Sequence, residues 1–437
     1  MGMRLALVQM LQRFLEQFGR GGSLPGELAL RLDHDFISRF QMPKTVILVT
    51  GTNGKTTTSN LIAESLRQAG LRVLHNRRGD NLNVGIASLL ASGSDLHYRV
   101  LADAVVIEVD ELTLYRQFFH LHPTHLVVTN FFRDQLDRAG EMETIIRKIM
   151  EVTKDFKGTL ILNGDDPNVI RIGEHAQKAK VCYFSVAEND LSRAIPDEAG
   201  EGKFCPRCGH RLVYEYYQYA HIGRFHCLYD DFGKIKPVIL AEQIHLEAET
   251  FVVNGQMYHA FMNTIYGIYN CCAVLAVMDS LKLDPLCADH VFTHFHLNEG
   301  RNERFSLSRP ATIHLIKNPT GANEVMKFIL TCPVRKNICI ILNDNDQDGR
   351  DVSWIWDTHF DRLHDPLVDH IVCSGLRAYD MALRLKYDGM ADKLKVIEKP
   401  AAAIFWLDQA KEDSFILATY TALHSTRRLL KKEENRK

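Results

Sequence analysis

The β-branched apolar run Lys44-Thr-Val-Ile-Leu-Val-Thr50 passes directly into Gly51-Thr-Asn-Gly-Lys-Thr-Thr-Thr58, and behind it Leu61, Ile62, Leu66 and Ala69 recur at helical spacing. A strand, a glycine loop and a helix in that order leave few folds open, because such a loop belongs at the carboxyl end of a parallel strand. Backbone N–H groups around Asn53, Gly54 and Lys55, flanked by Thr52 and Thr57, can cradle phosphates at the helix N-terminus. Lys55 can neutralise β- and γ-phosphates, and the hydroxyl of Thr56 or Thr57 can hold Mg²⁺. The strict phosphate-loop pattern wants glycine where Val49 stands, so this is a variant form.

Further apolar runs at 71–74, 104–109, 125–129 and 159–162 alternate with helix-like segments such as 141–153, the pattern of a parallel sheet covered by helices. Around 186–204 the chain turns polar and charged, and a Cys- and Tyr-rich stretch follows, read as an inserted module at 203–237. A second alternation begins near Ile313, with strands at 313–316, 337–342, 368–373 and 414–418 and helices near 376–387 and 400–410. The fold class is therefore α/β. We expect a helical segment at 1–40, a central nucleotide-binding domain at 41–300 carrying the insertion, and a Rossmann-like domain at 301–437. At the start, Leu7, Leu11, Phe14, Leu15 and Phe18 fall at helical spacing and predict an amphipathic helix that packs on its own protein. The charged end, Arg427 to Lys437, is expected to fray.

A chain of 437 residues exceeds what one core usually organises, which agrees with two or three domains. Lys and Arg number 52 against 54 Asp and Glu, so no excess of positive charge is available to grip a phosphate backbone. No apolar stretch approaches the roughly 18 residues that span a bilayer. With no secretory signal visible, the ten cysteines are expected to be reduced thiols of a cytoplasmic protein.

Three of those cysteines suggest a metal. Cys205-Pro-Arg-Cys208-Gly209 is a knuckle sequence whose glycine permits the turn that aims two thiolates at one ion, and 18 residues separate Cys208 from Cys227. The fourth cysteine of a zinc ribbon is absent. Asp230 stands there, and His226 or His221 could serve instead. Zn²⁺ with a structural role is the expectation. Tyr214, Tyr216, Tyr217 and Tyr219 could stack nucleic-acid bases, but strand residues packing a small module explain them more simply. Cys271 and Cys272 lie in an apolar run and are read as core.

The string Thr50 to Thr58 resembles the ATP loop of Mur ligases and folylpolyglutamate synthases more than that of kinases. Within the Mur ligases the likeness is to the MurT family. It is carried by His75-Asn-Arg-Arg-Gly-Asp-Asn-Leu82, by Thr129-Asn-Phe-Phe-Arg-Asp-Gln-Leu-Asp-Arg138, by Asn163-Gly-Asp-Asp-Pro167 and Lys317-Asn-Pro-Thr-Gly-Ala-Asn323, and by Asn343-Asp-Asn-Asp-Gln-Asp-Gly-Arg-Asp351. Gln135 stands where ordinary Mur ligases tend to carry His. The resemblance implies that Glu108 holds Mg²⁺ beside Thr56, that Asn270 contacts adenine and that Arg301 reaches ATP. It also implies that Asp351 completes a triad whose Cys and His lie on a separate GatD-type glutaminase. No Cys and His in this chain form a recognisable glutaminase motif.

The activity so implied is ATP-dependent amidation of the D-glutamate α-carboxylate of the lipid II stem peptide, in a heterodimer with the glutaminase that works in the cytoplasm or peripherally at the cytoplasmic membrane face. Two other readings compete. An amino-acid-adding ligase of Mur or folylpolyglutamate type would share the loop, but the aspartate-rich segment and Gln135 argue against it. A zinc-ribbon NTPase acting on nucleic acid would share the cysteines, but the near-neutral charge argues against that.

Overall fold

The computed structural model describes residues 2–17, 23–77, 79–132, 142–196, 201–295 and 302–436, and the chain divides into two compact units, one ending at Phe295 and the other formed by the residues after it.

The first unit is built on nine strands. They are β1 (Thr45–Thr50), β2 (Val73–His75), β3 (Ala104–Glu108), β4 (His125–Val128), β5 (Thr159–Asn163), β6 (Lys180–Val186), then, after a separate hairpin of β7 (Val213–Tyr219) and β8 (Ile222–His226), β9 (Ile239–His245), β10 (Thr250–Val253) and β11 (Gln256–His259). Their order across the sheet is β11-β10-β9-β6-β5-β4-β1-β3-β2. From β2 to β9 every pairing is parallel, and β10 and β11 close one edge antiparallel. The strand β1 reads as an unbroken apolar run because helices cover both faces of a parallel sheet. Val46, Ile47, Leu48 and Val49 are all fully buried. The helix Ile265–Ser280 is apolar all round and buried along nearly its whole length, Cys271 and Cys272 included, so it is a core element. Each such large side chain contributes roughly 1.5–3 kcal/mol by leaving water.

The helix Gly2–Gln17 forms, but it buries a different stripe from the one the spacing suggested. Leu5 and Val8 are fully buried, while Leu7 and Phe14 are about half exposed, at 50% and 57%. The buried side is fixed by Gln9, whose amide donates to the carbonyls of Ala91 and Ser94, and by Arg4 pairing with Asp33. Phe18 lies outside the described residues.

The second unit is a six-stranded sheet of β12 (Glu303–Ser306), β13 (Pro310–Leu315), β14 (Lys336–Ile341), β15 (Val368–Ser374), β16 (Leu394–Val396) and β17 (Asp413–Ala418), ordered β12-β13-β17-β14-β15-β16. Only the β12–β13 pair is antiparallel. Its last helix, Tyr420–Glu434, corrects the expectation of a frayed end. Leu430 and Thr426 are buried in it and Arg427 pairs with Glu303, so charged residues and an apolar stripe share one helix.

Candidate functional site

The loop between β1 and the helix Lys55–Gln68 turns on two glycines with positive φ, Gly51 at 123° and Gly54 at 84°. A Cβ on Gly51 would fall 2.3 Å from Thr129 Oγ1, and one on Gly54 would fall 2.7 Å from Asn270 Oδ1, so both positions are closed to side chains. The segment after β4 holds the loop in shape. Thr52 N–H donates to the Asn130 carbonyl at 2.8 Å, Asn53 N–H to Asn130 Oδ1 at 2.9 Å, and Thr129 Oγ1 to the Asn53 carbonyl at 2.7 Å. Thr129 and Asn130 thus fix the backbone of the cradle, a role that spacing did not reveal.

Lys55 opens the helix and is buried. Its ammonium donates to the Gly51 carbonyl and to Glu111 Oε1 at 2.9 Å. Burial works against the charge, but the combined pull of Glu111, Glu108 and Asp110 leaves its pKa above the usual lysine value. A cation is thereby stationed where a phosphate's negative charge would arrive.

Glu108 ends β3, next to β1 in the sheet, and is 3% exposed. Its backbone is locked by Asn76, which accepts from Glu108 N–H at 2.9 Å and donates to its carbonyl at 2.9 Å. Oε1 accepts from Asn81 Nδ2 at 2.9 Å. Oε2 is buried with no hydrogen-bond partner among the described residues. A Cβ built on Gly79 would stand 3.0 Å from that Oε2 and 3.3 Å from Thr56 Oγ1, so a carboxylate oxygen and a hydroxyl converge on one small space that glycine leaves clear. Two hard oxygens, one anionic and one neutral, are a donor set that suits Mg²⁺.

Asn270, on the buried helix Ile265–Ser280, accepts from Thr58 Oγ1 at 3.2 Å and stands against Gly54. Thr57 is buried in the first turn behind the loop. Arg301, with Asp134 and Gln135, lies outside the described residues.

In the hairpin module, the ligand atoms of Cys205, Cys208, Cys227 and Asp230 all lie within 4.8 Å of one another. Cys205 Sγ is 3.2 Å from Asp230 Oδ2, and Cys208 Sγ is 3.5 Å from Cys227 Sγ. Asp230 is aimed by accepting from Phe232 N–H at 2.8 Å. The two histidines considered for the fourth place go elsewhere: His226 faces Glu215 at 3.3 Å and His221 faces Asp166 at 3.4 Å. The tyrosines pack the module. Tyr214 and Tyr217 stack at 4.2 Å, while Tyr216 and Tyr219 are buried.

In the second unit, the aspartate-rich segment leaves the carboxyl end of β14. Asp348 accepts from Thr421 N–H at 2.7 Å, Asp344 pairs with Arg377 at 2.7 Å and Asp346 with Arg350 at 2.8 Å. Asp351 is partly exposed, with Oδ1 accepting from Ser353 N–H at 2.8 Å.

Comparison with known proteins agrees with this architecture. A model of the Mur ligase middle domain matches residues 49–211, and one of the MurT ligase C-terminal domain matches residues 315–423. The chain is 32% identical to the protein of Streptococcus pneumoniae named lipid II isoglutaminyl synthase (glutamine-hydrolyzing) subunit MurT, over 95% of this chain and 94% of that one. To the protein of the same name from Staphylococcus aureus it is 33% identical over 84% of this chain and 83% of that one. Among solved structures, a pseudomurein peptide ligase type C from Methanothermus fervidus superposes with a TM-score of 0.69 at 20% identity, covering 91% of this chain and 80% of that one. MurF from Acinetobacter baumannii does so with a TM-score of 0.63 at 18% identity, covering 94% and 80%. The fold is that of the Mur ligases, and the chain belongs to the MurT family.

Proposed function

We propose that this chain is the ATP-using subunit of a lipid II isoglutaminyl synthase. The observation that carries the reading is the convergence of Glu108 Oε2 and Thr56 Oγ1 beside Gly79, at the mouth of a phosphate loop whose lysine is held charged. The family relatives are named for this activity. In the reading, N–H groups of residues 54–57, at the start of the helix, hold the phosphates of ATP, and Lys55 steadies the γ-phosphoryl group as the D-glutamate α-carboxylate attacks it and ADP leaves. Glu108 and Thr56 would hold Mg²⁺, which when bound masks the repulsion between carboxylate and triphosphate. Asn270 and Arg301 would border the nucleotide. Ammonia then displaces phosphate from the acyl phosphate, giving D-isoglutamine.

Asp351 serves a partner subunit, a GatD-type glutaminase, by accepting the second imidazole N–H of its histidine; that fixes the tautomer needed to activate the thiol. Cys205, Cys208, Cys227 and Asp230 hold Zn²⁺, three thiolates and one carboxylate, in a ribbon-like module with a structural role. No helix among the described residues is long and apolar enough to cross a membrane; in this reading the lipid-linked substrate is met at the membrane surface.

The test supplies the purified chain with ATP, lipid II and ¹⁵N-ammonium, then offers glycine, alanine, lysine and glutamate in its place. Label in the α-carboxamide from ammonium alone is the expected result. Preferential incorporation of an amino acid would make the chain an amino-acid-adding ligase.

A further inference from the structure

The cysteine-bearing hairpin has no part in the chemistry proposed above, yet its tip reaches into the core of the nucleotide-binding unit. We propose that the hairpin is a brace for the phosphate loop and that His221 is the positioning residue through which it acts. The inference rests on the reading of residues 51–58 as the ATP cradle.

His221 sits at the turn between β7 and β8, where Ala220 adopts a φ of 45°. It is 3% exposed, far from the solvated surface a hairpin turn usually occupies. Two arms reach from it toward the loop. Its ring lies 4.8 Å, centroid to centroid, from that of Phe132, and its Nε2 approaches Asp166 Oδ1 at 3.4 Å without making a hydrogen bond among the described residues. The first contact ends on the segment that shapes the cradle, and the second on a carboxylate that holds that segment's backbone. Asp166 Oδ2 accepts from Phe131 N–H at 2.8 Å, and Phe132 N–H donates to Thr52 Oγ1 at 3.0 Å. Asn130, one residue earlier, carries the hydrogen bonds from Thr52 and Asn53.

The hairpin itself is anchored. Tyr214 Oη donates to the His221 carbonyl at 3.1 Å, Gly223 N–H donates to the Asp165 carbonyl at 3.0 Å, and the Tyr219 ring packs on Tyr269. At its far end, Cys227 follows the last residue of β8 and belongs to the group with Cys205, Cys208 and Asp230. A loop whose N–H groups must face phosphate binds it more tightly when its shape exists beforehand, because no ordering cost is met on binding. His221 supplies that order from behind, without touching the nucleotide.

The test measures ADP affinity by calorimetry and amide hydrogen exchange by mass spectrometry on the full chain and on His221→Ala. The brace predicts ADP binding weaker by about tenfold, the effect of roughly one lost buried interaction. It also predicts faster exchange at Thr52, Asn53, Phe131 and Phe132, with β14 and β15 of the second unit unchanged. His221→Gln, which keeps a donor but not the ring, should fall between the two and serves if the alanine variant does not fold. A folded variant with the parent's ADP affinity and the parent's exchange at those four amides overturns the brace. Failure of the parent chain to bind ADP instead overturns the nucleotide reading, and the exchange arm still judges the brace.

Discussion

Two loops leave the carboxyl ends of parallel strands in this molecule, one after β1 in the first unit and one after β14 in the second, and they use their polar residues in opposite ways. After β1, neighbouring segments supply the hydrogen bonds: Thr129 and Asn130 hold the backbone, Asn76 and Asn81 hold Glu108, and one carboxylate oxygen is left buried and without a partner among the described residues. After β14, the loop's own acids hold it down. Asp344 and Asp346 pair with arginines and Asp348 binds the start of the last helix, while Asp351 stays partly exposed. The first arrangement builds a cradle that a ligand completes. The second is closed by its own pairs and leaves polar side chains, Asp351 among them, at the surface. In the proposed function, one topological position would serve an internal site in one case and a site shared with a partner in the other.

The comparison breaks most sharply at Asp351. Asp351→Asn, assayed with the glutaminase partner, should cut glutamine-driven amidation on the order of 10³-fold or more, as expected when a histidine loses its orienting carboxylate. Ammonium-driven amidation should keep its rate. Equal loss from both nitrogen sources would place Asp351 in the ligase chemistry instead.

Glu108→Gln keeps the shape of the cradle but replaces the carboxylate whose Oε2 has no hydrogen-bond partner among the described residues. Steady-state ATP turnover should fall by roughly 10²–10³-fold. Binding of ADP in the absence of Mg²⁺ should change little, and a large loss there would mean that Glu108 supports the loop rather than a cation.

Asp165 sharpens the first region through pH. It is fully buried and accepts from Tyr269 Oη at 2.6 Å, and burial pushes its pKa up to about 6 from 3.8. The folded state therefore holds a proton between about pH 4 and 6 that the unfolded chain releases, so stability contributed by this group is present below that window and lost as pH rises through it. The full span is about 3 kcal/mol. Urea melts of the parent and Asp165→Asn should diverge across that window, with the parent gaining relative stability as pH falls. Parallel curves would show that Asp165 is ionised throughout.

The smallest effect belongs to Asp348. Asp348→Ala should cost about 1–2 kcal/mol, the worth of a lost helix cap, read as a lower melting temperature of the second unit. If the loop is held as described, glutamine-driven amidation should also weaken while ATP turnover with ammonium does not.

Much of the first region was legible because its chemistry is local. The glycine loop, Lys55 and Thr56 fall within one short string, and Glu108 closes an apolar strand. The same holds for the cysteines, where the knuckle sequence 205–209 and the spacing to Cys227 pointed to the group found together. Its supports were not legible, since Asn76 meets Glu108 across 32 positions and Asn130 meets Asn53 across 77, separations that only the sheet order resolves. Glu111, the partner of Lys55, lies 56 positions away and is not singled out in the sequence for the same reason. Periodicity also misled at the N-terminal helix, where Leu7 and Phe14 lie outside the buried stripe, and at the C-terminus, where charge hid a helix that buries Leu430.

The central claim is that the cradle after β1 activates a carboxylate by phosphorylation, and oxygen tracing tests it most directly. Lipid II carrying ¹⁸O in the D-glutamate α-carboxylate is turned over with ATP and ammonium, and the released phosphate is analysed by mass spectrometry. The account predicts one ¹⁸O atom transferred to inorganic phosphate for each carboxamide formed. Unlabelled phosphate, or pyrophosphate as the product, would contradict it.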